Sequence, residues 1–91
     1  MESVIQKERF CWVCETTQNL HVHHIFPGAS RRKLSEKRGF KVYLCHQHHG
    51  ECHKHINSGV SLMLKRMCQL YYEANYGDRE DFIREFGRSV L

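Results

Sequence analysis

Apolar positions along the first half of the chain come in short, broken runs, whereas along the second half they recur at helical steps. In "NLHVHHIF", residues 19–26, apolar and polar side chains alternate up to Pro27 and Gly28, which predicts a strand terminated by those two residues. "FKVYLC", residues 40–45, predicts a second strand, and a turn at "CHQH" leads from it into a His-rich stretch. Then the period changes. Val60, Met63, Leu64, Met67, Leu70, Tyr71 and Ala74 recur every three or four residues, which predicts an amphipathic helix capped near Asn57 or Ser58 and stopped at Gly77. Cys68, one turn after Leu64, joins that stripe as a small hydrophobe. Asp78 followed by Asp81 predicts the cap of a last helix, with Phe82, Ile83 and Phe86 on its apolar face and Gly87 at its end. The expected fold class is α+β: a β-hairpin plus helix, followed by two C-terminal helices.

Length and composition add a need for reinforcement. Ninety-one residues without repeats, low-complexity tracts or a linker make a single domain, 1–91, and so short a chain buries a smaller share of its surface than most. Five cysteines (11, 14, 45, 52 and 68) are an odd count for a disulfide framework. The opening "MESVIQKERF" is charged and has no apolar run of a signal peptide, and no stretch approaches the roughly 20 apolar residues of a membrane helix. The expectation is therefore a reducing cytoplasm, no membrane, and cysteines that serve metal.

Cys11 and Cys14, and Cys45 and His48, form two pairs with two residues inside each and thirty between them. A two-residue gap lets a tight turn point both donors at one ion, and two such knuckles complete the tetrahedral shell of a structural zinc. The separation exceeds that of a ββα finger and suits a treble clef, in which a knuckle, a hairpin and a second knuckle opening a helix enclose the metal. A redox dithiol would instead follow a strand and start a helix, whereas here a strand follows. Cys52 is the alternative fourth ligand, although its distance in sequence from Cys45 is not knuckle spacing.

Charge and the remaining histidines point beyond scaffolding. Net charge is +4, and six of the fourteen Lys and Arg fall in 31–41: Arg31, Arg32, Lys33, Lys37, Arg38 and Lys41. Such a run is either a solvated loop face or a track for phosphates, and a neighbouring metal site favours the second. All eight histidines lie between 21 and 55. Apart from His48, seven remain (21, 23, 24, 46, 49, 53 and 55), more than a fold needs. A regular strand would turn His23 and His24 to opposite faces.

"HVHHIFPG", then a strand ending in Leu44-Cys45, then Cys45xxHis48-His49, resembles the HNH endonuclease family, also called His-Me finger or ββα-metal nucleases, in its zinc-stapled form. The resemblance spans residues 11–57, leaving 58–91 as a helical extension. The whole chain, through "DFIREFGRSVL", is similar to small HNH-like proteins of Gram-positive bacteria and their prophages. It implies that His23 binds a catalytic divalent ion, that His24 is the general base, and that His49 is a second metal ligand. For the third ligand, His55 is chosen over His53: His55-Ile56-Asn57 resembles a His-x-Asn of the prophage group, and Gly50 is a poor residue for a first helical turn.

The implied reaction is hydrolysis of phosphodiester bonds in DNA, with RNA also open, by a bacterial or phage-encoded enzyme. One ion of Mg, Mn, Ni, Co or Zn would act as Lewis acid, and an imidazole with an ordinary pKa of about 6.5 is a competent base in the cytoplasm. The chain departs from the family by having no Asn between Asn19 and Asn57. The alternative reading is a catalytically silent treble-clef module binding nucleic acid or a protein partner. A metal-handling regulatory protein is a third.

Overall fold

The computed structural model describes residues 2–91. Its elements are β1 (Leu20–His24), α1 (Ala29–Arg38), β2 (Lys41–Cys45), α2 (His46–Lys54), α3 (Gly59–Asn75) and α4 (Arg79–Phe86). The strands pair antiparallel with Leu20 opposite Cys45, Val22 opposite Tyr43 and His24 opposite Lys41. The fold class is α+β, as the hydrophobic pattern predicts.

Two helices depart from expectation. Residues 29–38, to which the hydrophobic pattern assigns no element, form α1 inside the hairpin connection. Only Ala29 and Leu34 are apolar there, so the period that announces a helix is missing, although Arg and Lys are themselves good helix formers. Leu34 packs partly buried against the core, and the helix's one buried residue is polar. Fully buried Ser35 accepts a hydrogen bond from the Phe26 N–H (3.1 Å) and donates one to the Phe26 carbonyl (3.3 Å). Gly39 then ends α1 in the left-handed region (φ 72), where a side chain would run into the backbone of Glu2.

The His-rich stretch is the second departure. It is helical from His46 to Lys54, and Gly50 sits inside the helix, where a loop was expected. Cys45 is extended (φ −68, ψ 166) and serves as N-cap, so the second knuckle is also the first turn of α2. This helix packs across both strands and against α3.

The C-terminal helices form where their sequence signals place them, but the buried face of α3 is turned from the expected stripe: Met63, Leu70 and Ala74 are exposed, as is Ile83 of α4, while Tyr72 is buried. Ser58 is the N-cap of α3, and Asp78 and Asp81 form a reciprocal capping box at α4. Leu64, Cys68 and Tyr72 of α3 and Phe82 and Phe86 of α4 close over Ile25, Phe40 and Leu44. Phe26 lies 4.6 Å from Phe86 by ring centroid, and Phe82 stacks on Phe86 at 4.8 Å. Burial pushes the Cys68 thiol far up, so it is inert core. No helix among the described residues is long and apolar enough to cross a membrane.

Candidate metal centres

The first group is assembled by two turns and a strand end. The Cys11 N–H donates to the Thr16 carbonyl (2.8 Å) and the Glu15 N–H to the Cys11 carbonyl (2.8 Å), which closes the turn carrying Cys11 and Cys14. The Trp12 N–H donates to the Tyr43 carbonyl (2.9 Å), so the turn is held beside the end of β2, where Cys45 and His48 follow. His48 Nδ1 lies 3.2 Å from Cys45 Sγ and 3.6 Å from Cys11 Sγ, and Cys14 Sγ lies 3.9 Å from Cys45 Sγ. A tetrahedron of N and S donors about 2.0–2.3 Å from zinc has edges of about 3.3–3.8 Å. Cys11, Cys14, Cys45 and His48 can therefore hold one ion such as zinc.

The electrostatics favour that use. Burial pushes the Cys11 thiol up, but the backbone N–H groups around it and His48 outweigh the burial and bring it down to about 6. A thiol poised to ionise is a thiol ready to ligate. At Cys14 the Thr16 backbone lowers the pKa, yet burial and the neighbouring thiols leave it raised. Cys52, the alternative ligand, is buried outside the group, and burial raises its thiol.

The second group faces the other flank of α2. His49 and His53, four residues apart, stand on one side of the helix with their Nε2 atoms 3.0 Å apart. His23 of β1 points at both, with ring centroids 5.3 Å from His49 and 5.7 Å from His53. The three form a group within metal-binding reach. His23 is 3% exposed, and neither of its ring nitrogens has a hydrogen-bond partner. Burial first, then the neighbouring His49 and His53, holds its pKa down to about 4, so the ring stays neutral and both lone-pair chemistry and an unmet polar need are directed inward. His49 is likewise shifted down, chiefly by burial. His21 Nδ1 lies 2.9 Å from His49 Nδ1, on the side of the ring away from His53. That contact steadies His49, and alternation along β1 is the signal by which His21 could have been expected on the same face as His23.

His55 does not join this group. It is the C-cap of α2 and lines a separate hollow with His48 and Cys52. The reason is the helix start: once α2 begins at the knuckle, the residue one turn beyond His49 is His53, and His55 lies past the last turn.

His24 points away from His23, as a regular strand requires. Its Nε2 lies 3.4 Å from Glu36 Oε1, and Glu36 also accepts from Lys41 Nζ at 2.5 Å. The Lys41 hydrogen bond above all, aided by His24, holds the Glu36 carboxyl down to about 2 against the opposing effect of burial. Both histidines nonetheless border one hollow of about 400 Å³ at the strand end, together with Pro27, Arg32, His49 and His53.

The basic run is dispersed by its helix. Five of the six cations lie on α1, where successive residues point about 100° apart, and Lys41 opens β2. Arg38 pairs with Glu85 (3.0 Å) and covers the Tyr76 ring at 4.5 Å, and Lys41 is engaged by Glu36. Arg32 borders the His hollow, Arg31 borders a different one, and Lys33 and Lys37 are exposed.

Fold and site together define a small α+β protein with two Cys/His groups that can each hold a metal ion. Compared with known proteins, the chain matches no family model, no curated protein and no solved structure.

Proposed function

We propose that the protein is a metal-dependent nuclease of the HNH type, with a structural zinc at Cys11, Cys14, Cys45 and His48 and a second, catalytic divalent ion at His23, His49 and His53. The observation that carries this reading is the buried His23 ring, whose two nitrogens lack partners and which faces two further imidazoles across an accessible hollow. A divalent ion held there would supply Lewis-acid polarisation of a scissile phosphate and stabilisation of the leaving 3′ oxygen. His24, on the rim of the same hollow, takes the proton from the attacking water. Glu36 holds that imidazole in orientation, a task the HNH pattern gives to an asparagine this chain lacks. Arg32 contributes positive charge where a phosphate would enter.

The substrate class that fits is a nucleic acid, taken here as DNA with RNA also open, because a phosphodiester is what the hollow's imidazoles and guanidinium complement. The silent zinc module is the second reading, favoured by the missing Asn. Plasmid cleavage by the zinc-loaded protein with Mg, Mn, Co, Ni and Zn in turn separates the two. The nuclease reading expects nicking or linearisation with at least one of these ions, abolished by His24→Ala. Intact plasmid with all five would leave the silent module.

A further inference from the structure

A second hollow, of about 280 Å³, opens where α1, the α2–α3 connection, α3 and the C-terminal tail meet. Arg31, Lys65 and Arg88 border it, and no acidic side chain does. Lys65 is 7% exposed, yet its ammonium has only neutral acceptors: the Ile56 carbonyl at 2.6 Å and Asn57 Oδ1 at 3.5 Å. The same Asn57 Oδ1 accepts from Arg88 Nη2 at 3.1 Å. One neutral oxygen thus tethers two cations without cancelling either charge. The Arg31 guanidinium lies over Gly87, where any side chain would collide with it.

Arg38, Lys41, Arg79 and Arg84 each meet a carboxylate, whereas among the described residues none of Arg31, Lys65 and Arg88 forms an ion pair. Among the described residues, other cations without an ion pair, such as Lys33, Lys37 and Arg66, are exposed, whereas Lys65 is buried. A buried ammonium among like charges is unfavourable unless something compensates it. Burial, then Arg88 and Arg31, indeed hold the Lys65 pKa below its ordinary value. An anion in the hollow would relieve all three groups at once, and a guanidinium pair with an ammonium is the donor set that suits tetrahedral oxyanions. The volume is several times the roughly 30 Å³ share of one water, enough for a phosphate group.

The position of the hollow identifies the source of that phosphate. Pro27 borders both this hollow and the one bearing His23, His24 and His53, and the adjacent Arg31 and Arg32 stand one on each. We propose that Arg31, Lys65 and Arg88 form a phosphate-binding site, which takes the backbone phosphate of a nucleic-acid strand neighbouring the phosphate presented to the histidines. The strand assignment rests on the nuclease reading, but the oxyanion site does not.

The test uses the zinc-loaded full chain and two probes, inorganic phosphate followed by ³¹P NMR and a short DNA duplex followed across a salt series. Arg31 and Arg88 are exposed, so Arg31→Gln and Arg88→Gln should fold normally, and Lys65→Met adds a buried control. Wild type should bind one phosphate, each Gln variant should weaken it at least about tenfold, and each should lower the salt slope for DNA by about one. Absence of phosphate binding by wild type, or unchanged binding in both Gln variants at wild-type melting temperature, overturns the site. Phosphate binding lost in the variants with an unchanged DNA slope overturns the strand assignment. Failure of plasmid cleavage with every metal, alongside variant-sensitive phosphate binding, would sink the nuclease and leave the oxyanion site supported.

Discussion

The two Cys/His groups lie on opposite flanks of one short helix and differ in almost every physical respect. Cys11, Cys14, Cys45 and His48 offer four donors, three of them thiols, enough for a full shell from within the chain. His23, His49 and His53 offer three imidazoles and border a hollow of about 400 Å³ that a further ligand can enter. A full protein shell leaves an ion nothing to do but hold the fold, whereas a three-donor shell keeps a position for water or substrate. Because α2 carries His48 for one group and His49 and His53 for the other, whatever fixes the first positions the second. The thiol-rich centre is thus the foundation on which the imidazole centre stands.

That asymmetry can be broken from either side. The largest effect belongs to Cys45→Ala, which removes a ligand shared by β2 and the cap of α2. Structural zinc in small domains contributes on the order of 10–16 kcal/mol of apparent folding free energy, so this variant should lose both zinc and cooperative melting. A Cys45→Ala protein that melts like wild type would dissolve the distinction between the groups. Next comes His24→Ala. On the nuclease reading it should lower cleavage about 10²- to 10⁴-fold while zinc content and melting temperature stay put, since a general base acts on rate and not on packing. A parallel loss of stability would make His24 part of the scaffold, through its contact with Glu36.

The smallest effect sharpens the role of α2 itself. Gly50 lies inside the helix with open space where a side chain would go. Gly50→Ala should therefore stabilise the protein by about 0.5–1 kcal/mol, or a few degrees in thermal melting. A destabilised Gly50→Ala would mean that residues 46–54 are not helical.

That helix is also where sequence reasoning and structure part company. The knuckle pairs are legible because their spacing is itself the geometry: two residues between donors specify a turn. α3 and α4 are legible in extent because their apolar residues recur at helical steps, but the buried face of α3 is only partly so: Leu64 and Cys68 bury as expected, Met63 and Leu70 do not, and Tyr72 takes the inward position expected of Tyr71. In α2 no such stripe exists. Its only buried residue is Cys52, its polar positions are spent on ligation, and Gly50 reads as a break. Choosing His55 over His53 follows directly from that misplaced helix start. α1 is hidden for a related reason, since its one buried residue is Ser35, bonded to the Phe26 backbone, it meets the sheet through Glu36, and Leu34 alone gives it an apolar contact with the core. The opposition of His23 and His24 is legible from strand alternation alone. Their shared hollow is not, because it depends on where Pro27 and α2 close the strand end.

Cobalt titration of the metal-free protein, followed by absorption, tests the division between the centres most directly. Wild type should take up two equivalents, one with the intense near-ultraviolet charge-transfer bands of thiolate ligation and one without. His53→Ala should keep the thiolate equivalent and lose or greatly weaken the other, while His55→Ala keeps both. A single equivalent in wild type, or a second equivalent that survives His53→Ala and fails in His55→Ala, would contradict the account.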